Sequence, residues 1–256
     1  MATRRAAPAQ LGAYVLHHHD WSESSLILEL FTRELGRISA VAKGAKRPYS
    51  QLRCVLLPFQ RLNIALGSKR IEDGAEVQLL RSAEWAGGGA MPGGAALLAG
   101  MHLNEILLRG LARQDPHPHL FDAYAATLPA LSGPDDAGVA AALRAFEIRL
   151  LSDSGVLPEL HLVTATQTPV QDNARHSLNA EAGVCVAGPR DSGIAGSALV
   201  ALQAALHDSD LAALQRACLA APQELKSQLR GLLHYHLGTS ALRTRALMIE
   251  VQQLLD

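Results

Sequence analysis

The hydrophobic period changes once along this chain, and that change restricts its fold more than any other feature. From Tyr14 to Glu84 the pattern is short and strand-like, with runs in which apolar residues recur at every second position, whereas beyond the segment AGGGAMPGGAA (residues 86–96) they recur at helical spacing. A period of two lines one face of a strand and a period of 3.6 lines one stripe of a helix, so neither half can take the other's structure without exposing its apolar set. In SLILELFT (residues 25–32) Leu26, Leu28 and Leu30 share a face. In FQRLNIAL (residues 59–66) Leu62, Ile64 and Leu66 oppose Arg61, Asn63 and Ala65. Turn signals at Leu35-Gly36, Lys43-Gly44 and Gly67-Ser68 leave room for about five strands, the content of a small closed barrel, and an OB-fold is the natural candidate.

The Gly-rich segment sustains neither period and reads as a linker over residues 85–95, between a barrel domain (1–84) and a helical domain (96–256). It holds no dinucleotide fingerprint, because the third glycine of GxGxxG counted from Gly87 falls on Pro92. Three helical stripes follow: Leu97, Met101, Leu108 and Leu111; Leu120, Tyr124, Leu128 and Leu131; and Val139, Leu143, Phe146 and Leu150. Gly155 and Pro158 end the third, and residues 159–195 lose periodicity, which predicts an irregular insertion with room for a short hairpin. Helical signals resume near Gly196, with Gly238 suited to a left-handed cap and Ser240 to the N-cap of a last helix ending at Leu255. The expected class is α+β and multidomain: a five-stranded OB-fold barrel, then an all-α domain.

Net charge is −1 for the whole chain, yet residues 33–70 hold nine Lys or Arg (Arg33, Arg37, Lys43, Lys46, Arg47, Arg53, Arg61, Lys69 and Arg70) against one acid, Glu34. The segment FTRELGRISAVAKGAKRP (residues 31–48) puts cations at the ends of two predicted strands and three more in the following loop. Loops between barrel strands are where OB-folds hold oligonucleotides, so these cations can neutralise phosphates while Gly44 admits close backbone approach. The alternative is an ordinary solvated basic turn. Tyr49, beside Pro48 in the basic loop, is the best candidate for base stacking; Phe31 and Phe59 read as core residues within strands, and Trp21 completes a thin aromatic supply. The candidate nucleic-acid residues are therefore Arg33, Arg37, Lys43, Lys46, Arg47, Tyr49, Arg53 and Arg70. Binding through about six phosphates predicts a single-strand salt slope of roughly −4 and weak sequence preference.

Other constellations are less informative. His17, His18 and His19 place two imidazoles on one strand face without an identifiable third metal ligand. Cys54, Cys185 and Cys218 are far apart and form no CxxC pair, which fits a reducing compartment. GxSxG, HExxH and P-loop signatures are missing from the sequence, so no catalytic residue is assigned and a binding protein is expected. No apolar run is long enough for a signal peptide or a membrane helix, which predicts a soluble cytoplasmic protein. In LRGLLHYHLGTSALRTRALMIE (residues 229–250) Arg230, Arg243 and Arg245 flank apolar stripes; this suits either plain core packing or capture of an acidic peptide.

The blocks AYVLHHHDWSESSLILELFTRELGRISAVAKGAKRP, LLPFQRL, LRSAEW, LRAFEIRLLSDSGVLPEL and HYHLGTSALRTRALM, in that order, resemble the bacterial RecO family over nearly the whole chain. The resemblance implies an N-terminal OB-fold, a helical C-terminal domain, and binding of single- and double-stranded DNA. It further implies annealing of complementary strands, partnership with SSB and RecR, and help in loading RecA in RecF-pathway repair, at the nucleoid. The family's basic surface would fall on Arg33, Arg37, Lys43, Lys46 and Arg47, and its contact for the acidic SSB tail on Leu143, Arg144 and the helix that holds them; Arg243, from the reading of residues 229–250, is the further partner-binding candidate. Some members bind zinc through paired cysteines, whereas residues 161–189 here contain Cys185 alone, so no metal or other cofactor is expected. The rival function is an OB-fold protein of translation or ribosome assembly acting on RNA; a hydrolase with an unrecognised site is a third.

Overall fold

The computed structural model describes residues 10–67, 77–188, 191–238 and 242–255. Five strands, β1 (Gln10–Asp20), β2 (Leu26–Thr32), β3 (Gly36–Ala42), β4 (Leu62–Leu66) and β5 (Val77–Trp85), close a barrel in the order β1-β2-β3-β5-β4. All pairings are antiparallel except β3 with β5. Closure depends on the length of β1, whose first residues pair with β4 and whose remainder pairs with β2, with a register shift between Val15 and His17. A bulge of this kind bends a strand and lets it serve two neighbours. The alternation read from the sequence fills the barrel: Ala13, Val15, Leu28, Leu30, Ile38, Ala40, Leu62 and Ile64 form its core.

The chain also departs from the simple alternation. Phe59 is buried, but it occupies a turn at φ 65° and not a strand, because Pro58 bridges to Val15 and the chain must redirect before β4 begins at Leu62. A short helix, α1 (Gln51–Val55), lies between β3 and β4.

Two compact units result: Met1–Pro92 with Leu111–Asp122, and Gly93–Gly110 with Ala123–Asp256. In the first, residues 111–122 cover the outer face of β1–β3. Phe121 meets Tyr14 at 5.3 Å and Phe31 at 5.4 Å between ring centroids, and Gln114 donates its N–H to the Arg37 carbonyl at 2.9 Å. Gly36, at φ 68°, sits where a Cβ would overlap the Asp115 carbonyl, so this turn requires glycine twice over.

The second unit contains α2 (Gly94–Gly110), most of α3 (Pro118–Ala130) and α4 (Asp136–Asp153). It continues with β6 (Leu162–Val163), β7 (Thr168–Pro169), β8 (Arg175–Asn179), β9 (Gly183–Val186) and β10 (Ile194–Ala195), then α5 (Gly196–His207), α6 (Leu211–Cys218), α7 (Pro222–His236) and α8 (Arg243–Leu255). Asp135 caps α4 by accepting from the N–H groups of Ala137 and Gly138. The stripe Leu120, Tyr124, Leu128 and Leu131 is buried as the spacing predicts.

On α2 the reading is one face out. Met101 is exposed, Leu111 lies beyond the helix, and the buried set is Ala99, Leu103, Ile106 and Leu107. A helix apolar on most sides offers more than one stripe, and here buried His102 and Asn104 share the inner side, which a hydrophobic count rejects. The aperiodic stretch forms two small sheets, β10-β8-β9 and β6-β7, the first pinned by Gln228 of α7 through the Leu178 N–H (2.7 Å) and the Ser192 carbonyl (2.8 Å). Gly238 adopts φ 63° after α7, as a left-handed cap requires; Ser240 lies outside the described residues.

Candidate nucleic-acid interface and partner pocket

The barrel unit sorts its cations into two kinds. Glu29, buried, accepts from Arg37 Nη1 at 3.1 Å, Arg113 Nη2 at 2.9 Å and Ser39 Oγ at 2.6 Å, and Arg37 Nε donates to the Leu111 carbonyl at 3.1 Å. Arg37 is thus mostly enclosed and occupied in joining β2, β3 and the returning segment. Arg33 grips Asp122 through two parallel hydrogen bonds of 3.0 Å each, and that fork holds the Asp122 carboxyl below its ordinary pKa.

The loop after β3 is different. Lys46 ties it to the β1–β2 turn: its main-chain N–H donates to the Ser24 carbonyl at 3.0 Å, and its Nζ lies 3.2 Å from the Ser22 carbonyl and 3.1 Å from Asp20 Oδ2. Gly44, at φ 73°, and the hydrogen bonds from Arg47 N to Gly44 O and from Ser50 N to Arg47 O fold the loop tightly. The result is a shallow concavity lined by Lys43, Gly44, Arg47, Pro48, Tyr49 and Ser50. Lys43, Arg47 and the adjacent Arg53 on α1 are exposed and pair with no acid among the described residues. Tyr49 is 99% exposed. Arg70 lies outside the described residues.

The helical unit holds a cavity of about 280 Å³ between α2, α4, α7 and α8. Leu143, Leu233, Leu242, Met248 and Ile249 supply apolar walls; Arg144, Lys226, Arg230, Arg245, His102 and His234 supply the polar ones. Glu147, the lone acid in the lining, is buried and accepts from Arg144 Nη2 at 2.9 Å and bonds His102 Nε2 at 3.0 Å. Burial disfavours its ionisation, but Arg144, His102 and Arg245 outweigh this and hold the carboxyl below its usual value. Burial, with Arg245 and Arg230 behind it, lowers the His234 pKa. Cys218, buried near Arg144 and Glu147, has its thiol pushed up to about 12 by desolvation.

Leu143 and Arg144 therefore line this cavity, and Arg243 does not; its main-chain N–H instead donates to Glu105 Oε1 at 2.9 Å while Thr244 N–H and Oγ1 bind Oε2. Sequence reasoning missed Lys226, His102, His234 and Glu147. The spacing of Lys226, Arg230 and Leu233 at i, i+4 and i+7 is the signal that places the first of these on Arg230's stripe. Among the described residues no three His, Cys, Asp or Glu side chains converge as a metal-ligand set.

Comparison with known proteins agrees with both halves. Residues 8–88 match the family described as recombination protein O, N terminal, and residues 92–246 match its C-terminal counterpart. The chain belongs to the RecO family of DNA repair proteins. Relatives named DNA repair protein RecO include one from a Polaromonas species, 52% identical over 99% of this chain and all of the relative. Another, from Polaromonas naphthalenivorans, is 51% identical over 94% of this chain and 96% of its own, and one from Albidiferax ferrireducens is 47% identical over 99% of each. The closed barrel and the helical unit are accordingly the N- and C-terminal parts of a RecO-type protein. No described helix of this RecO-family chain is long and apolar enough to cross a membrane.

Proposed function

We propose that this chain is a recombination mediator that binds single- and double-stranded DNA through its barrel, anneals complementary SSB-coated strands and, with RecR, helps to load RecA at the nucleoid. The observation that carries this reading is the β3–α1 loop, where Lys43, Arg47 and Arg53 stand exposed and unpaired among the described residues while other cations of the barrel unit are engaged. Exposed cations along a loop suit a repeating polyanion: each neutralised phosphate releases counterions, and binding is sequence-tolerant. Lys46 and Tyr49 belong to the same loop, Arg33 keeps an exposed edge beside Asp122, and Arg37 acts from within the fold.

Pairing two strands requires screening of phosphate repulsion and no covalent step, so the chain acts without catalytic residues or cofactor. The cavity of the helical unit suits the acidic SSB tail, since apolar walls ringed by Arg144, Arg230, Arg245 and Lys226 match a short segment carrying carboxylates and an apolar side chain. The test mixes SSB-coated complementary DNA strands with the protein and follows duplex formation without nucleotide or added metal. Annealing without strand cleavage is expected; cleavage, or a preference for RNA oligomers in competition, would replace this reading with one of its rivals.

A further inference from the structure

Two large aromatic side chains stand in water on the two loops that Lys46 joins. Trp21 is 65% exposed at the start of the β1–β2 turn, and Tyr49 is 99% exposed in the β3–α1 loop. Trp21 has a fixed backbone: its N–H donates to the Ser25 carbonyl at 3.1 Å, and Ser22 N–H reaches the same oxygen at 3.4 Å. Lys46 binds Asp20, Ser22 and Ser24 on either side of Trp21, while Lys46 itself stands three residues before Tyr49. By contrast Trp85, also exposed, engages its indole N–H with Gln60 Oε1 at 3.1 Å and belongs to the end of β5. The two rings present exposed faces that a ligand can cover, and the exposed cations Lys43, Arg47 and Arg53 of the β3–α1 loop and α1 favour one that is negatively charged.

We infer that Trp21 and Tyr49 form a two-ring platform on which bases of single-stranded DNA stack while the loop cations hold the backbone. The inference rests on the DNA-binding reading above and adds its selectivity. Duplex DNA keeps its base faces stacked on each other and offers this loop phosphates but no ring faces, whereas a single strand offers both. Stacking engages the ring face and leaves the Watson–Crick edge open, so a strand held in this way stays competent to pair with its complement.

The test uses the full-length chain carrying Trp85→Phe, which leaves Trp21 as the only indole. An oligothymidylate of about 12 nucleotides, within the range one OB-fold covers, is compared with an abasic oligomer of equal length and charge. The expected result is that oligothymidylate quenches Trp21 fluorescence and binds roughly fivefold or more tighter than the abasic strand. Adding Trp21→Ala and Tyr49→Ala, followed by anisotropy of a labelled strand, should bring the oligothymidylate affinity down to that of the abasic strand and leave abasic binding unchanged. Equal affinity for both strands in the parent protein, or a base-dependent difference that survives the double substitution, overturns the platform while leaving phosphate binding standing. Failure of both oligomers to bind overturns the DNA-binding reading and the platform with it. Both side chains are exposed, so a thermal melt matching the parent's is expected and shows that any drop in affinity is not unfolding.

Discussion

The barrel loop and the helical cavity carry similar numbers of cations and put them to different use. In the loop, Lys43, Arg47 and Arg53 face water, and the concavity there is shallow, with Pro48 and Tyr49 among its lining residues. In the cavity, Arg144, Lys226, Arg230 and Arg245 surround apolar walls, and a buried carboxylate, Glu147, holds Arg144 and His102. Charge alone therefore does not specify a ligand. An open row suits a long polyanion that can bind in many registers, and a ringed apolar concavity suits one short acidic segment in one register. A third group, Arg37 and Arg113 about Glu29, is engaged in ion pairs that hold β2, β3 and the returning segment together.

The strongest way to separate these groups is to break the third. Glu29→Ala leaves Arg37 enclosed without its carboxylate, and removal of one partner of a buried pair should destabilise the protein by about 3–5 kcal/mol, read from the shift of a urea unfolding midpoint; a shift near zero would mean that Arg37 is no more structural than the loop cations. Replacing Lys43, Arg47 and Arg53 together by Gln should do the reverse. Stability is unchanged, and the slope of log affinity for single-stranded DNA against log salt becomes shallower by about 2, at roughly 0.7 for each phosphate no longer neutralised. A steep slope that survives the triple substitution would move the interface elsewhere on the barrel.

Arg245→Ala should weaken binding of an acidic SSB-tail peptide about tenfold, the scale of one charge-assisted hydrogen bond, with DNA affinity unaltered; calorimetry with peptide and with oligonucleotide checks both halves of the comparison. The smallest effect concerns pH. The folded Glu147 carboxyl titrates below its ordinary value of 4.5, so its contribution to stability is present above that value and is lost as pH falls through the lower folded value. Glu147→Gln should flatten this acid limb of the stability curve, measured by denaturant unfolding at several pH values. An acid limb identical to the parent's would show that Arg144 and His102 do not favour the ionised form.

Legibility in the sequence followed the range of the interaction. The alternation of Leu26, Leu28 and Leu30 and the stripe from Leu120 to Leu131 were readable because period and burial are local properties of strand and helix. On α2 the same method chose Met101 over Leu103, since an Ala- and Leu-rich helix offers apolar residues on more than one side and its inner side also carries His102 and Asn104. For the site, composition located the basic segment but could not rank its members; Leu143 and Arg144 of the cavity came from the family resemblance alone, and Glu147, which binds Arg144 and His102, was missed.

By itself the sequence determined that a period-two half precedes a helical half, that the positive charge gathers in residues 33–70, and that the blocks of a RecO-type chain occur in order. Only the tertiary structure decided which of those charges are free. Arg33 finds Asp122 at a separation of 89 residues, Glu29 finds Arg113 at 84, and Arg37 reaches the Leu111 carbonyl at 74. Residues 111–122 return to the barrel unit for the same reason, to cover Tyr14 and Phe31 with Phe121. Periodicity is written into neighbouring residues and can be read along the chain, whereas the partner of a charge is chosen by which distant segment the packing brings within about 3 Å of it.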